Sequence, residues 1–127
     1  MPCLTVAIVA AGLLACSSDN GQLTTVHKKL SGLTATTHAV AEAWFSGDVS
    51  PTFSATAFQQ TLQLLDKQRA VLNASPQLLL DGPGAALSRQ AEQLSRALAL
   101  LIDDARNADP ASARQHLSQV PSVEGPP

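Results

Sequence analysis

The chain has 127 residues, a formal net charge of −2, 14% charged residues and 3% aromatic residues. A chain of this length forms one domain with a single core of modest size. The near-neutral charge and the scarcity of aromatic side chains argue against a nucleic-acid partner, which would need a basic patch or a base-stacking platform.

The first feature in chain order is an uncharged, almost wholly apolar run over residues 4–15, followed directly by a cysteine. As a helix this run would be about 18 Å long, too short for a hydrocarbon core of about 30 Å. Its length is typical of the hydrophobic region of an export signal, which is cut after a small residue. Ala15 is the small residue here.

The tetrapeptide Leu-Leu-Ala-Cys at 13–16 resembles the lipobox of bacterial lipoprotein precursors, a resemblance confined to the N-terminus. In that family the cysteine thiol receives a diacylglycerol, the preceding peptide is removed, and the new amino terminus is acylated. The resemblance implies a signal peptide over residues 1–15, cleavage between Ala15 and Cys16, and a lipid anchor on Cys16. It further implies the cell envelope and, because Ser17 is not Asp, the outer membrane facing the periplasm.

Two other interpretations of the apolar run stay open: an ordinary signal peptide, or an apolar helix that docks on the domain. The residues before the run carry no Lys or Arg, although export signals normally begin with positive charge. Both cysteines, Cys3 and Cys16, lie in this part of the chain. A disulfide framework or a cysteine zinc site is therefore not expected in the rest of the domain.

Residues 16–22 are predicted to form the lipidated cysteine and a flexible tether, because most of them are small or polar. Six extended residues reach only about 20 Å. The domain that follows, residues 23–120, is therefore expected to lie close to its membrane. Residues 121–127 are predicted to be disordered.

An all-α domain is predicted for residues 23–120, since apolar residues recur alternately three and four positions apart. Three long helices are expected over 23–45, over 52–73 and from Leu87, with a short fourth after Asp109. Short turns between them favour a small antiparallel up-and-down bundle. The predicted core seams are Leu23, Val26, Leu30, Leu33, Thr37, Val40 and Trp44; Phe58, Leu62, Leu65 and Leu72; Leu87, Ala91, Leu94, Leu98, Leu101, Ala105 and Ala108; and Ala113, Leu117 and Val120.

The helix ends carry their own signals. Ser50 followed by proline predicts an N-cap, with Ser54 as a rival cap that would pair Phe53 with Phe58 in a hydrophobic staple. The sequence Asp-Gly-Pro-Gly at 81–84 is expected to interrupt all regular structure. Gly32, inside the first helix, is interpreted as a point of close approach between helices.

Three consecutive leucines, Leu78, Leu79 and Leu80, precede that interruption. In an up-and-down bundle they would lie at the same end as the lipid. Either they contact the bilayer surface, or they cap the bottom of the core.

All four aromatic residues, Trp44, Phe45, Phe53 and Phe58, surround the first predicted turn. Trp44 and Phe45 are neighbours, so both cannot point fully into one core. One hypothesis is that this end presents a hydrophobic anchor to a protein partner. The alternative is that all four plug the end of the bundle.

The polar residues give no pattern of an active site. His27 and His38 would be about 16 Å apart along one helix, too far to share a metal ion. His116 could meet one of them, giving at most a two-histidine site for haem or copper, whereas surface histidines are the commoner case. Asp103 and Asp104 would point about 100° apart, as on a solvated helix edge.

No catalytic residue, metal site or cofactor is therefore predicted, and the expected function is not enzymatic. The leading hypothesis is a lipid-anchored helical adaptor or scaffold that binds a protein and does not bind nucleic acid. The alternative is a carrier of haem, metal or a small apolar ligand in the bundle interior.

Overall fold

The computed structural model describes the backbone of residues 2–76 and 82–121, and within these ranges the side chains from residue 21 onward. This part of the chain is helical and contains no strand, so the predicted all-α bundle is confirmed. Its helices are α1 (Pro2–Phe45), α2 (Pro51–Ala74), α3 (Gly82–Arg106) and α4 (Pro110–Leu117).

Helix α1 begins much earlier than the sequence predicts. It starts at Pro2 rather than near Leu23, so residues 16–22 continue the helix instead of forming a tether. No proline lies between the apolar run and Leu23, and extending an existing helix is far easier than nucleating a new one. The tether prediction refers to the chain after removal of residues 1–15, and for that form it stays a prediction.

The core lies between the three long helices, and the predicted seams supply it. The buried seam residues are Val26, Leu30, Leu33, Thr37, Trp44, Phe58, Leu65, Leu72, Leu87, Ala91, Leu94, Leu98, Leu101, Ala105, Ala113 and Val120. Leu23, Val40, Leu62 and Leu117 are half-buried and pack against this core. Ala108 was predicted wrongly: it is exposed, because α3 has already ended at Arg106.

Helices α2 and α3 contact each other with the start of α2 beside the end of α3. The start of α2, residues 51–59, shares a groove with residues 105–108 at the end of α3. Farther along α2, the Arg69 guanidinium donates to Ser95 Oγ of α3 at 3.4 Å. Such pairing is expected when adjacent helices run in opposite directions, and it favours the up-and-down topology.

The start of α2 distinguishes between the two predicted caps. The backbone N–H of Phe53 donates to Ser50 Oγ at 3.0 Å, and Pro51 occupies the first turn. Ser50 is therefore the N-cap. Ser54 lies inside the helix, where its buried hydroxyl donates to the Ser50 carbonyl oxygen at 3.0 Å.

Two glycine predictions are corrected. Helix α3 starts at Gly82, so residues 82–84 are helical and do not stop regular structure. Pro83 is tolerated because first-turn N–H groups have no partner within the helix. A Cβ added at Gly32 would meet nothing within 4 Å, so no helix packs closely there. The leucines Leu78, Leu79 and Leu80 lie outside the described residues, as do residues 122–127.

Helices α1 and α3 end in the same way, with one residue in the left-handed region. After α1 this residue is Gly47, with φ of 81°, and after α3 it is Ala108, with φ of 50°. In each case the backbone N–H of the next residue donates to the carbonyl oxygen five positions earlier. Asp48 donates to the Ala43 carbonyl oxygen at 2.8 Å, and Asp109 donates to the Asp104 carbonyl oxygen at 2.8 Å. Glycine adopts this conformation without steric cost, whereas alanine does not.

Exchanging the two residue types should therefore have opposite effects on stability. Gly47→Ala is expected to lower the free energy of unfolding by about 1 kcal/mol, and Ala108→Gly to raise it by up to about 1 kcal/mol. Urea unfolding of both variants and the wild type measures the difference. A change of the same sign in both variants would contradict the assignment of these two helix ends.

Candidate functional site

The four aromatic residues form what we call the aromatic end: Trp44, Phe45, Phe53 and Phe58. Trp44 and Phe58 belong to the core, with exposed fractions of 6% and 0%. Phe45 is half-buried, and its ring centroid lies 5.6 Å from that of Trp44. Phe53 is different, because 55% of it is exposed in the first turn of α2. The most exposed aromatic side chain of this end is therefore Phe53, not Trp44 or Phe45.

Phe45 is covered by the short helix α4. The guanidinium carbon of Arg114 lies 4.8 Å from the centroid of the Phe45 ring, within the range of a cation–π contact. This contact shields one face of the ring and connects α4 to the end of α1. The surface that remains open at the aromatic end is thus dominated by Phe53.

A shallow groove lies at the same helical turns as Phe53, between the start of α2 and the end of α3. Ala55 and Ala105 are buried at its base, while Thr52 and Arg106 stand exposed at its rim. Phe53 does not line this groove, because it lies about 100° round α2 from Thr52, so the exposed ring and the groove are separate features of this end. The arrangement suits contact with a protein side chain, and it brings no set of reactive groups together.

A partly buried polar pair connects α3 and α4, and the sequence contains little sign of it. His116 Nδ1 lies 2.5 Å from Asp104 Oδ2, and Asp104 is only 7% exposed. The prediction of a solvated edge therefore fits the exposed Asp103 but is wrong for Asp104. The one available signal was that Asp104 follows Leu101 by three positions and so borders the seam.

The Asp104–His116 pair has the composition of an oriented general base, in which a carboxylate holds an imidazole. Catalysis would also require a nucleophile at the other ring nitrogen. Among the described residues, no serine, threonine or cysteine side chain is hydrogen-bonded to His116. The pair joins two helices, and its direct role is to hold α4 in place.

The start of α4 is fixed by a capping aspartate. The Ser112 backbone N–H donates to Asp109 Oδ1 at 3.2 Å, and the Ser112 hydroxyl donates to Oδ2 at 2.9 Å. These two hydrogen bonds, the backbone one first, hold the pKa of Asp109 below its ordinary value. Asp109 is therefore the N-cap of α4, which begins directly after it, as the predicted short fourth helix does.

The predicted lipidation site lies within the helical backbone of α1, where Ala15 and Cys16 are consecutive residues. Within the described part of the chain, no helix has an apolar stretch long enough to cross a membrane. The described residues also contain no group of three or more His, Cys, Asp or Glu side chains placed to hold a metal ion. No protein-family model, curated protein or solved structure matches this chain.

Proposed function

We propose that this protein is a bacterial lipoprotein, anchored through Cys16, whose helical bundle binds a protein partner without catalysing a reaction. The observation that carries the proposal is the Leu-Leu-Ala-Cys sequence at 13–16, placed directly after an apolar run of export-signal length. Two or three acyl chains on one cysteine give a lasting anchor, at about 0.8 kcal/mol per buried methylene. The expected location is the periplasmic face of the outer membrane.

The aromatic end supports the protein-binding half of the proposal. It lies at the C-terminal end of α1, whereas Cys16 lies in the first half of the same helix. Phe53 is therefore held away from the lipid and faces a partner in the periplasm. Aromatic side chains, phenylalanine included, are enriched in protein interfaces, and buried aromatic anchors often dominate the binding energy.

The anchor is tested by comparing two cysteine variants of the whole precursor in a Gram-negative host. Wild type and Cys3→Ser are expected to lose residues 1–15, gain acyl mass and fractionate with the membrane. Cys16→Ser should gain no acyl mass and leave the membrane fraction. Intact-mass measurement and fractionation give both readouts, and Cys3→Ser controls for the loss of a thiol. Identical behaviour of Cys16→Ser and wild type would show that the lipobox resemblance is accidental.

Protein binding is tested in the same cells by chemical cross-linking. Phe53→Ala is expected to remove an adduct of defined mass that wild type and Gln60→Ala both form, since Gln60 is an exposed residue of α2 outside the aromatic end. If Phe53→Ala keeps every adduct that Gln60→Ala keeps, the aromatic end is not the partner site.

A further inference from the structure

A second surface feature lies on the other half of the bundle. A groove between α1 and α2 is lined by Lys29, Gly32, Leu64 and Lys67, together with neighbouring residues of the same turns. We call it the lysine groove. The function proposed above makes no use of it, and the core does not require it, because the neighbouring Leu65 already fills the core position of that turn at 0% exposed.

Leu64 is exposed to 49%, among the highest values of any large apolar side chain in the described residues. It lines the same groove as two lysines, one on each helix. Lysine can lay its aliphatic stem along an apolar surface while its ammonium group stays in the polar layer. An apolar side chain with flanking lysines is the pattern of a surface that rests at the boundary between lipid headgroups and acyl chains.

Gly32 contributes no side chain to the groove. Glycine inside a helix lowers its stability relative to alanine, and packing within the protein does not explain it, since an added Cβ would meet nothing within 4 Å. Gly32 lines the same groove as Leu64 and faces open space, so this part of the groove is accessible from outside the chain.

Among the described residues, basic and acidic side chains are concentrated in opposite halves of the bundle. The half with the lysine groove is mainly basic, and the aromatic end is mainly acidic. The first half carries Lys28, Lys29, Lys67, Arg69, Arg89 and Arg96 with Asp66 and Glu92; the second carries Glu42, Asp48, Asp103, Asp104 and Asp109 with Arg106 and Arg114. An anionic surface would attract the first half and repel the second. A second copy of the chain would oppose lysine to lysine in a symmetric contact, so charge complementarity disfavours it.

We propose that the lysine groove is a membrane-contact surface, in which Leu64 enters an anionic phospholipid layer between the ammonium groups of Lys29 and Lys67. This inference deepens the proposed function and rests on it for location, because the anchor would hold the groove near the bilayer.

The test uses the full chain carrying Cys16→Ser, mixed with vesicles of phosphatidylethanolamine and phosphatidylglycerol at 3:1 or of phosphatidylcholine alone. Sedimentation with the anionic vesicles is expected to be stronger. Leu64→Ser should weaken that binding about tenfold, and Lys29→Gln with Lys67→Gln by at least as much, at about 1 kcal/mol per lysine near the surface. Circular dichroism melting shows that each variant is folded.

Matched control variants show whether a loss of vesicle binding is specific to the lysine groove or follows from losing any exposed leucine or any two positive charges. Leu100 is an exposed leucine on α3, and Arg106→Gln with Arg114→Gln removes the same charge from the acidic half. Both controls are expected to bind as the parent does. Equal weakening by Leu64→Ser and Leu100→Ser overturns the proposal, as does equal binding to both vesicle types. Loss of a cross-linked protein in cells with no change on vesicles would assign the groove to a protein instead. Every protein mixed with the vesicles carries Cys16→Ser, so the vesicle result does not depend on whether Cys16 is lipidated in cells.

Discussion

Phe58→Ala is expected to lower the free energy of unfolding by about 3–5 kcal/mol, whereas Phe53→Ala should change it by less than about 0.5 kcal/mol. Phe58 is 0% exposed and lies in the core, so its removal loses apolar burial and leaves a cavity. Phe53 is 55% exposed and loses little on truncation. A small domain is stable by only about 5–15 kcal/mol, so the first variant would be close to unfolding at moderate temperature.

Urea unfolding followed by circular dichroism and by the fluorescence of Trp44, the single tryptophan, measures both variants on one scale. Similar destabilisation by the two substitutions would contradict the placement of Phe53 outside the core. The stability expected for Phe53→Ala also helps to interpret the cross-linking experiment. A cross-linked partner lost in that variant can be attributed to the missing ring, because the fold is retained.

The core could be predicted from sequence because apolar spacing of three and four residues places side chains on one face of a helix. Leu30, Leu65 and Leu98 are buried as this spacing requires. The limits of the helices were harder to predict. Ala108 continues the spacing of α3, yet the backbone turns into the left-handed region there, and nothing in an alanine signals that change.

The candidate site was predictable in location but not in detail. The clustering of the aromatic residues identified the end of the bundle. Which ring is exposed depends on the rotation of α2, and Ser50 and Ser54 offered two possible starts for that helix. In the structure Ser54, Ala55 and Phe58 share the buried face, which turns Phe53 outward. Asp104 was missed because its partner is on another helix, and a carboxylate at the margin of a seam usually faces water.

Removing one member of the Asp104–His116 pair is expected to cost about 1–3 kcal/mol in the free energy of unfolding. His116→Leu should have the larger effect, since it leaves the Asp104 carboxylate buried at 7% exposure without this partner. The double variant Asp104→Leu with His116→Leu should recover part of the loss, because two apolar groups replace the polar contact. Asp103→Leu, at the exposed neighbouring position, is the control and should change stability by less than about 0.5 kcal/mol.

A double-mutant cycle in urea measures the coupling between the two side chains, and additive single effects would show that the pair contributes nothing to stability. The pair also bears on the aromatic end. It holds α4 against α3, and α4 carries the Arg114 guanidinium that lies over Phe45. Loosening α4 should uncover Phe45 and, through it, the Trp44 ring 5.6 Å away. Quenching of tryptophan fluorescence by iodide should therefore rise in His116→Leu at urea concentrations below its unfolding transition, while Asp103→Leu stays at the wild-type value.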